Sequence, residues 1–189
     1  MTLAIDATGT CEVCKKTFQR FSTMQRCCRT YRCAMALVKA DKKAEAEKTR
    51  ARRLAVKTIP EWRADAQAVF NRYCRTRDRL AGYGCICCGA PLDWNSGKPG
   101  GSVDAGHYVS RGSAIELAFD ERNVNAQRKS CNRPGGATKD KFRAGMVERW
   151  GEAVVAELEG PHEVPHLKAD DYRQIIKTYH AKLRELEKS

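Results

Sequence analysis

The sequence predicts an α+β fold that is mostly helical, with small cysteine-clasped modules, one short β-like core and helices flanking it. Three observations predict it. Ten cysteines fall into two groups: Cys11, Cys14, Cys27, Cys28 and Cys33, then Cys85, Cys87, Cys88 and Cys131, with Cys74 between them. Helical composition or helical spacing of apolar residues recurs before and after the second group. The short β-like runs and eight of the 14 glycines are confined to residues 85–143. A chain of 189 residues holds one sizeable domain or two small ones. The expected organisation is a knuckle module over 1–33, a basic helical region over 34–80, a core over 81–143 and C-terminal helices over 144–189.

The first module reads "CEVCKKTFQRFSTMQRCCRTYRC" over residues 11–33. Cys11 and Cys14 form a Cys-x2-Cys knuckle, followed by Cys28 and Cys33; either Cys27 or Cys28 pairs with Cys33, and the sequence does not choose. Four thiolates in two pairs suit a tetrahedral zinc ion. The segment is too short to bury an apolar core, so metal must supply the stability. With no export signal in view, so many cysteines point to metal ligation more than to disulfides. The N-terminus has no basic region followed by an apolar one, and no apolar run approaches the ~18–20 residues that cross a bilayer, so a cytoplasmic location is expected.

From Ala34 the chain is rich in Ala, Lys, Glu and Arg, with no Gly or Pro before Pro60. It has little apolar stripe beyond its two ends, so the helix stands in solvent or lies along a polyanion. Pro60 ends that helix and opens the next. Trp62, Ala66, Val69, Phe70 and Tyr73 then recur at helical spacing and mark a core face. Residues 142–159 read as helical, as do 170–187, where Tyr172, Ile175, Ile176, Tyr179, Leu183 and Leu186 share a face. Residues 162–166, "HEVPH", spell the H-E-x-x-H zinc-protease pattern. Pro161 and Pro165 deny it the single helix it needs, and a turn explains it better.

Charge names the partner class. Net charge is +12, and residues 1–80 carry 19 Lys/Arg against 8 Asp/Glu, whereas residues 81–189 carry 16 against 15. A polyanion, nucleic acid first, is the natural partner. Lys42, Lys43, Arg50, Arg52 and Arg53 on the long helix are candidate DNA contacts, with Arg111 and Arg128 in the core.

The chemistry is concentrated in residues 85–132. In order come a Cys85–Cys88 knuckle, "DAGHY", "FDERNVN" and "SCN". Phosphodiester hydrolysis needs a base near neutral pH, which His107 offers, with an unperturbed pKa of ~6.5. It also needs a divalent cation, and the hard oxygens of Asp104 and an Asn side chain suit Mg²⁺ or Mn²⁺. In a regular strand Asp104 and His107 point to opposite faces. A bulge, which Gly106 permits, would bring them together.

Knuckle, His, Asn, then Cys-Asn resembles the layout of HNH nucleases, which implies a zinc-stabilised ββα-metal core. The pieces "CICCGAPL", "DAGHYVSRG", "LAFDERNVNAQ", "CN" and "MVERWGEAVVAELEG" together resemble the phage NinG (Rap) family over almost the whole chain. That resemblance implies a phage-encoded endonuclease acting in the host cell on branched DNA such as Holliday junctions. It implies His107 as general base, Asn123 orienting base or metal, Asn132 in the third HNH position and Asp104 as a metal-ligand candidate. Phage recombination proteins become candidate partners. Symmetric cutting of a four-way junction would suit a homodimer, although no segment reads as a dimer seam. The alternative is a zinc-containing DNA-binding accessory factor without catalysis. One departure stands out: where the family carries "QCxxCN", this chain reads "QRKSCN", with Arg128 at a cysteine position. The second site then holds Cys85, Cys88 and Cys131. Its fourth ligand is Cys74, Cys87 or water, or the zinc is absent, leaving one or two zinc ions per chain.

Overall fold

The computed structural model describes residues 8–97 and 101–188. The chain forms two compact units, Met1–Lys57 and Thr58–Ser189. Their boundary falls inside the expected 34–80 region, between its two helices.

The first unit opens with β1 (Thr8–Thr10) and β2 (Thr17–Gln19), paired antiparallel with Gly9 opposite Phe18. Between them the backbone turns at Cys11, whose carbonyl accepts from the Lys15 N–H at 2.9 Å. Helix α1 (Tyr31–Ala55) follows. Arg26 ties the knuckle to this helix, with its guanidinium bonded to Glu12 and, at 2.8 Å, to Asp41. Among described residues 8–57 the only buried ones are Cys11 and Cys33. The core of this unit is therefore sulfur, as a segment too short for an apolar core requires. From Asp41 to Ala55 every residue of α1 is exposed, in keeping with its missing apolar stripe.

The second unit opens with α2 (Ile59–Leu80). Thr58 and Glu61 close a capping box, the Thr58 N–H donating to Glu61 at 2.7 Å, and Pro60 sits in the first turn. Trp62, Ala66, Phe70 and Tyr73 form its buried face. Helix α5 (Ala169–Leu186) covers that face and runs parallel to α2. Arg63 meets Tyr172, Phe70 meets Tyr179 edge-on with centroids 4.7 Å apart, and Arg72 meets Glu187 at 2.9 Å. Burying a side chain such as Phe70 or Leu183 contributes about 2–3 kcal/mol.

Strands β3 (Val103–His107) and β4 (Val124–Arg128) form an antiparallel hairpin between two cores. One core joins Phe70, Tyr73, Val124, Tyr179 and Leu183. The other joins the Cys85–Cys87 knuckle to Phe142, Met146, Val155 and Leu158 of α3 (Lys139–Trp150) and α4 (Glu152–Glu159). The expected helix over 142–159 is broken in two at Gly151, whose φ of 84° ends the first and starts the second. Gly145 has a packing reason: a Cβ there would lie 1.7 Å from the Ile86 carbonyl oxygen. Residues 162–166 lie in the non-helical connection from α4 to α5, so the H-E-x-x-H spelling has no shared helical face.

The outer edge of β4 has no strand beside it, yet its polar groups are satisfied. The Val124 carbonyl accepts from Arg77 at 2.9 Å, and the Ala126 N–H donates to Asp78 at 2.6 Å. The Ala126 carbonyl accepts from the Ile86 N–H at 3.1 Å, and the Arg128 N–H donates to Cys85 Sγ at 3.3 Å. Asp78 is fully buried between Arg77 at 2.8 Å and Arg149 at 3.1 Å. Removing one partner from such a network strands the remaining charges in a dry environment. Asp78→Ala should therefore lower stability by about 3–5 kcal/mol, read as a fall in the urea midpoint with an unchanged slope.

Candidate functional site

The first thiol cluster comprises Cys11, Cys14, Cys28 and Cys33, whose sulfurs all lie within 4.8 Å of one another. Cys28, not Cys27, completes it. Cys14 and Cys28 sulfurs are 3.9 Å apart. Zn–S bonds of about 2.3 Å in a tetrahedron place sulfurs about 3.8 Å apart, so the donor set fits zinc. The cluster already favours thiolate: Cys11 is drawn down to about 6, chiefly by the Cys14 backbone N–H. The Cys33 thiol, bonded to Cys28 and buried, is pushed up to about 12, because neighbouring sulfurs share protons when no cation offsets their charge.

The second cluster holds Cys85, Cys88 and Cys131, again within 4.8 Å, with Cys88 and Cys131 sulfurs 3.8 Å apart. Neither expected substitute joins it. Cys74 is buried on α2 among Phe70 and Tyr179. Cys87 accepts a hydrogen bond from Gln127 Nε2 at 2.9 Å. Two matching turns hold the trio. Cys88 and Gly89 N–H groups donate to the Cys85 carbonyl at 3.3 and 2.8 Å. Cys131 and Asn132 N–H groups donate to the Arg128 carbonyl at 2.8 and 3.1 Å. Arg128 thus stands where a first knuckle cysteine belongs and gives Cys85 a backbone N–H instead of a fourth thiolate. Its own side chain is exposed.

The four expected catalytic residues fall into two groups. The hairpin register is unbroken, pairing Asp104 with Gln127 and His107 with Val124, so the expected bulge does not form. Asp104 and His107 consequently face opposite sides of the hairpin. Gly106 serves clearance instead, since a Cβ there would meet Gln127 Oε1 at 2.0 Å.

On one side, Asn132 Nδ2 donates to Asp104 Oδ2 at 3.1 Å. On the other, His107 Nε2 lies 3.3 Å from Gln67 Nε2 and 3.4 Å from the Ala118 carbonyl oxygen. Burial, then Arg111, lowers its pKa to about 4. The imidazole is therefore neutral at neutral pH, and Gln67 is the donor to its free nitrogen. Asn123 is fully buried and spends its side chain on the flanking loop. Its Oδ1 accepts from the Val109 N–H at 2.8 Å, and its Nδ2 donates to the Val109 and Leu117 carbonyls at 3.1 and 3.0 Å. Those bonds fix the chain two residues after His107 and one residue before Ala118.

Gln67 escaped the sequence reading. It lies beside Ala66 in the apolar stripe of α2, and a lone buried polar residue there is the only signal that could have marked it. Of the expected DNA contacts, Lys42, Lys43, Arg50, Arg52 and Arg53 are exposed on α1, and Arg111 and Arg128 are exposed in the second unit.

Metal analysis tests the two thiol clusters. Purified protein should carry about two zinc ions per chain, one lost in Cys14→Ser and the other in Cys88→Ser. Arg128→Cys, entering a turn of knuckle shape, should tighten the second site and raise the melting temperature. A single zinc untouched by Cys88→Ser would leave the trio a packed thiol cluster.

No helix among the described residues is long and apolar enough to cross a membrane. Comparison with known proteins places the chain. A family model described as bacteriophage lambda NinG protein matches residues 4–189. Protein ninG of Escherichia phage 933W is 31% identical, over 99% of this chain and 98% of that protein. Protein ninG of Salmonella phage P22 is 33% identical over 76% of this chain and 66% of its own length. That of Escherichia phage lambda is 31% identical over the same shares. No solved structure matches. With the match running through both thiol clusters, the hairpin and the last helix, the chain belongs to the NinG family.

Proposed function

We propose that this protein is an HNH-type, metal-dependent endodeoxyribonuclease that cuts branched recombination intermediates such as Holliday junctions and D-loops. The observation that carries the reading is the meeting of Asp104 with Asn132 at 3.1 Å, across 28 residues of chain, beside the Cys88–Cys131 sulfurs. A carboxylate and an amide carbonyl are hard oxygen donors for Mg²⁺ or Mn²⁺. When bound there, such a cation would offset the charge that builds on a phosphodiester as it is attacked. His107 supports the reading from the opposite strand face. Its burial keeps the ring unprotonated at neutral pH and so able to accept a proton, though as a weaker base than an ordinary histidine, while Asn123 holds both ends of the loop beside it.

Cleavage of duplex, forked and four-way DNA side by side, with Mg²⁺ or Mn²⁺, tests the proposal. His107→Ala and Asp104→Ala should each abolish cutting and leave DNA affinity close to wild type. Wild-type rates in either variant would sink the assignment. The free base exists above its pKa, so the acid limb of the rate profile should fall near pH 4 to 5 rather than near the ~6.5 of an ordinary histidine. The same depression adds stability above pH ~6.5 that is eroded as pH falls towards 4.

A second reading, a zinc-containing DNA-binding accessory factor, is favoured by one observation. The unbroken register keeps His107 away from the Asp104–Asn132 pair. Under it no substrate is cut with either metal, and His107→Ala changes nothing measurable.

Both readings need DNA, and α1 exposes eight Lys and Arg side chains along one helix that would attract it. Each phosphate contact adds about 0.9 to the slope of log K against log salt. Replacing Lys42, Lys43, Arg50, Arg52 and Arg53 with Ala should flatten that slope by several units. An unchanged slope would move the binding surface to the second unit.

A further inference from the structure

Helix α2 buries one face, and the neighbouring face carries arginines. Arg72, Arg75 and Arg79 recur at helical spacing, so they form one row along the helix. They line a cleft of about 330 Å³ whose opposite wall includes Trp94, Ser102 and Asp104. The cleft lies wholly within the second unit, next to the Asp104–Asn132 pair.

The members of the row differ in what holds them. Arg72 is exposed and bonded to Glu187 at 2.9 Å. Arg79 is exposed. Arg75 is different: it is partly buried, and burial lowers its pKa, with the Asp104 charge opposing that shift. Yet no hydrogen bond or ion pair holds its guanidinium to any described residue. By contrast Arg77, two residues on and therefore on the other side of the helix, makes bonds to Asp78, Glu121 and Val124. A partly desolvated guanidinium with its five donors unspent costs the fold free energy unless an anion meets it. Asp93 in the same wall is committed to its own turn, its carboxylate accepting from the Asn95 N–H at 3.2 Å.

The geometry points to this cleft as a groove for the phosphodiester backbone of DNA. In it Arg75 takes a phosphate through its fork, while Arg72 and Arg79 lie along the same strand. The inference rests on the nucleic-acid reading above. It adds that α2, and not the basic helix of the first unit alone, grips the substrate, and that it does so on the Asp104 side of the hairpin. A planar fork suits phosphate better than a point charge does. A phosphate held by Arg75 would lie near the Asp104 carboxylate, where a bound Mg²⁺ or Mn²⁺ would offset the repulsion between the two anions.

Fluorescence anisotropy of a labelled four-way junction and a labelled duplex tests this, titrated with the full chain at several salt concentrations without added divalent cation. Arg75→Ala should weaken binding to both about tenfold and take about 0.9 from the salt slope. Arg75→Lys should restore the slope but only part of the affinity. Arg184→Ala, which removes the same charge from an exposed position on α5, should leave both unchanged. Because no hydrogen bond in the fold is lost, Arg75→Ala should not lower the unfolding midpoint. Wild-type affinity and slope in Arg75→Ala would overturn the inference even if the protein cuts DNA. A wild-type chain that binds without cutting would remove the nuclease reading while leaving the Arg75 comparison decisive. A wild-type chain that binds neither DNA would end both.

Discussion

The second unit depends on one constraint: a two-stranded hairpin whose outer edge must be satisfied without a third strand. Exposed strand edges invite pairing with other chains, and buried unpaired N–H and C=O groups cost about as much as lost hydrogen bonds. Here Asp78 takes the Ala126 N–H, Arg77 takes the Val124 carbonyl, and the Cys85–Ile86 backbone and sulfur take the rest. A helix end and a cysteine turn thus act together as the missing strand. The arrangement demands a buried carboxylate, and the two arginines beside Asp78 offset its desolvation. Arg149 also bonds Asn125, which accepts from Trp150 as well, so α3 is pinned to the hairpin by the same network.

This construction links the second thiol cluster to the fold. Cys85 is at once a thiol of the second cluster and the acceptor for β4's Arg128 N–H. Its pKa is drawn down to about 4, first by the hydrogen bond with Cys87 and then by the Arg128 N–H. Both hydrogen bonds favour the thiolate form of this sulfur, where the strand edge needs an acceptor. The first unit takes the same principle further. With only Cys11 and Cys33 buried among its described residues, it has no apolar core to fall back on.

The hairpin also sorts the polar residues by face. Period-two alternation sends Asp104 towards Asn132 and the arginine row of α2, and His107 towards Gln67 and Ala118. Residues three apart in the sequence thereby enter different environments. His107 becomes a neutral, half-buried imidazole, and Asp104 becomes a carboxylate facing guanidinium groups. Asn123, set by sequence among the catalytic candidates, becomes the clasp of the 109–117 loop.

The sequence by itself determined what depends on local spacing. Cys-x2-Cys turns, the helix start at Pro60, the apolar faces of α2 and α5 and the unstriped α1 all follow from residues within a few turns of one another. The resemblance carried by "DAGHY", "RNVNAQ" and "CN" determined the family. Tertiary structure alone decided what depends on long-range approach. It chose Cys28 over Cys27, excluded Cys74 and Cys87 from the second cluster, and put Arg128 into a knuckle turn. It broke 142–159 at Gly151, where a positive φ redirects the chain. It also set Gly106 against Gln127 in place of a bulge, and it left Arg75 beside Asp104 without a hydrogen bond. Spacing along one segment fixes which face a side chain takes, but what waits opposite that face is set by residues tens of positions away.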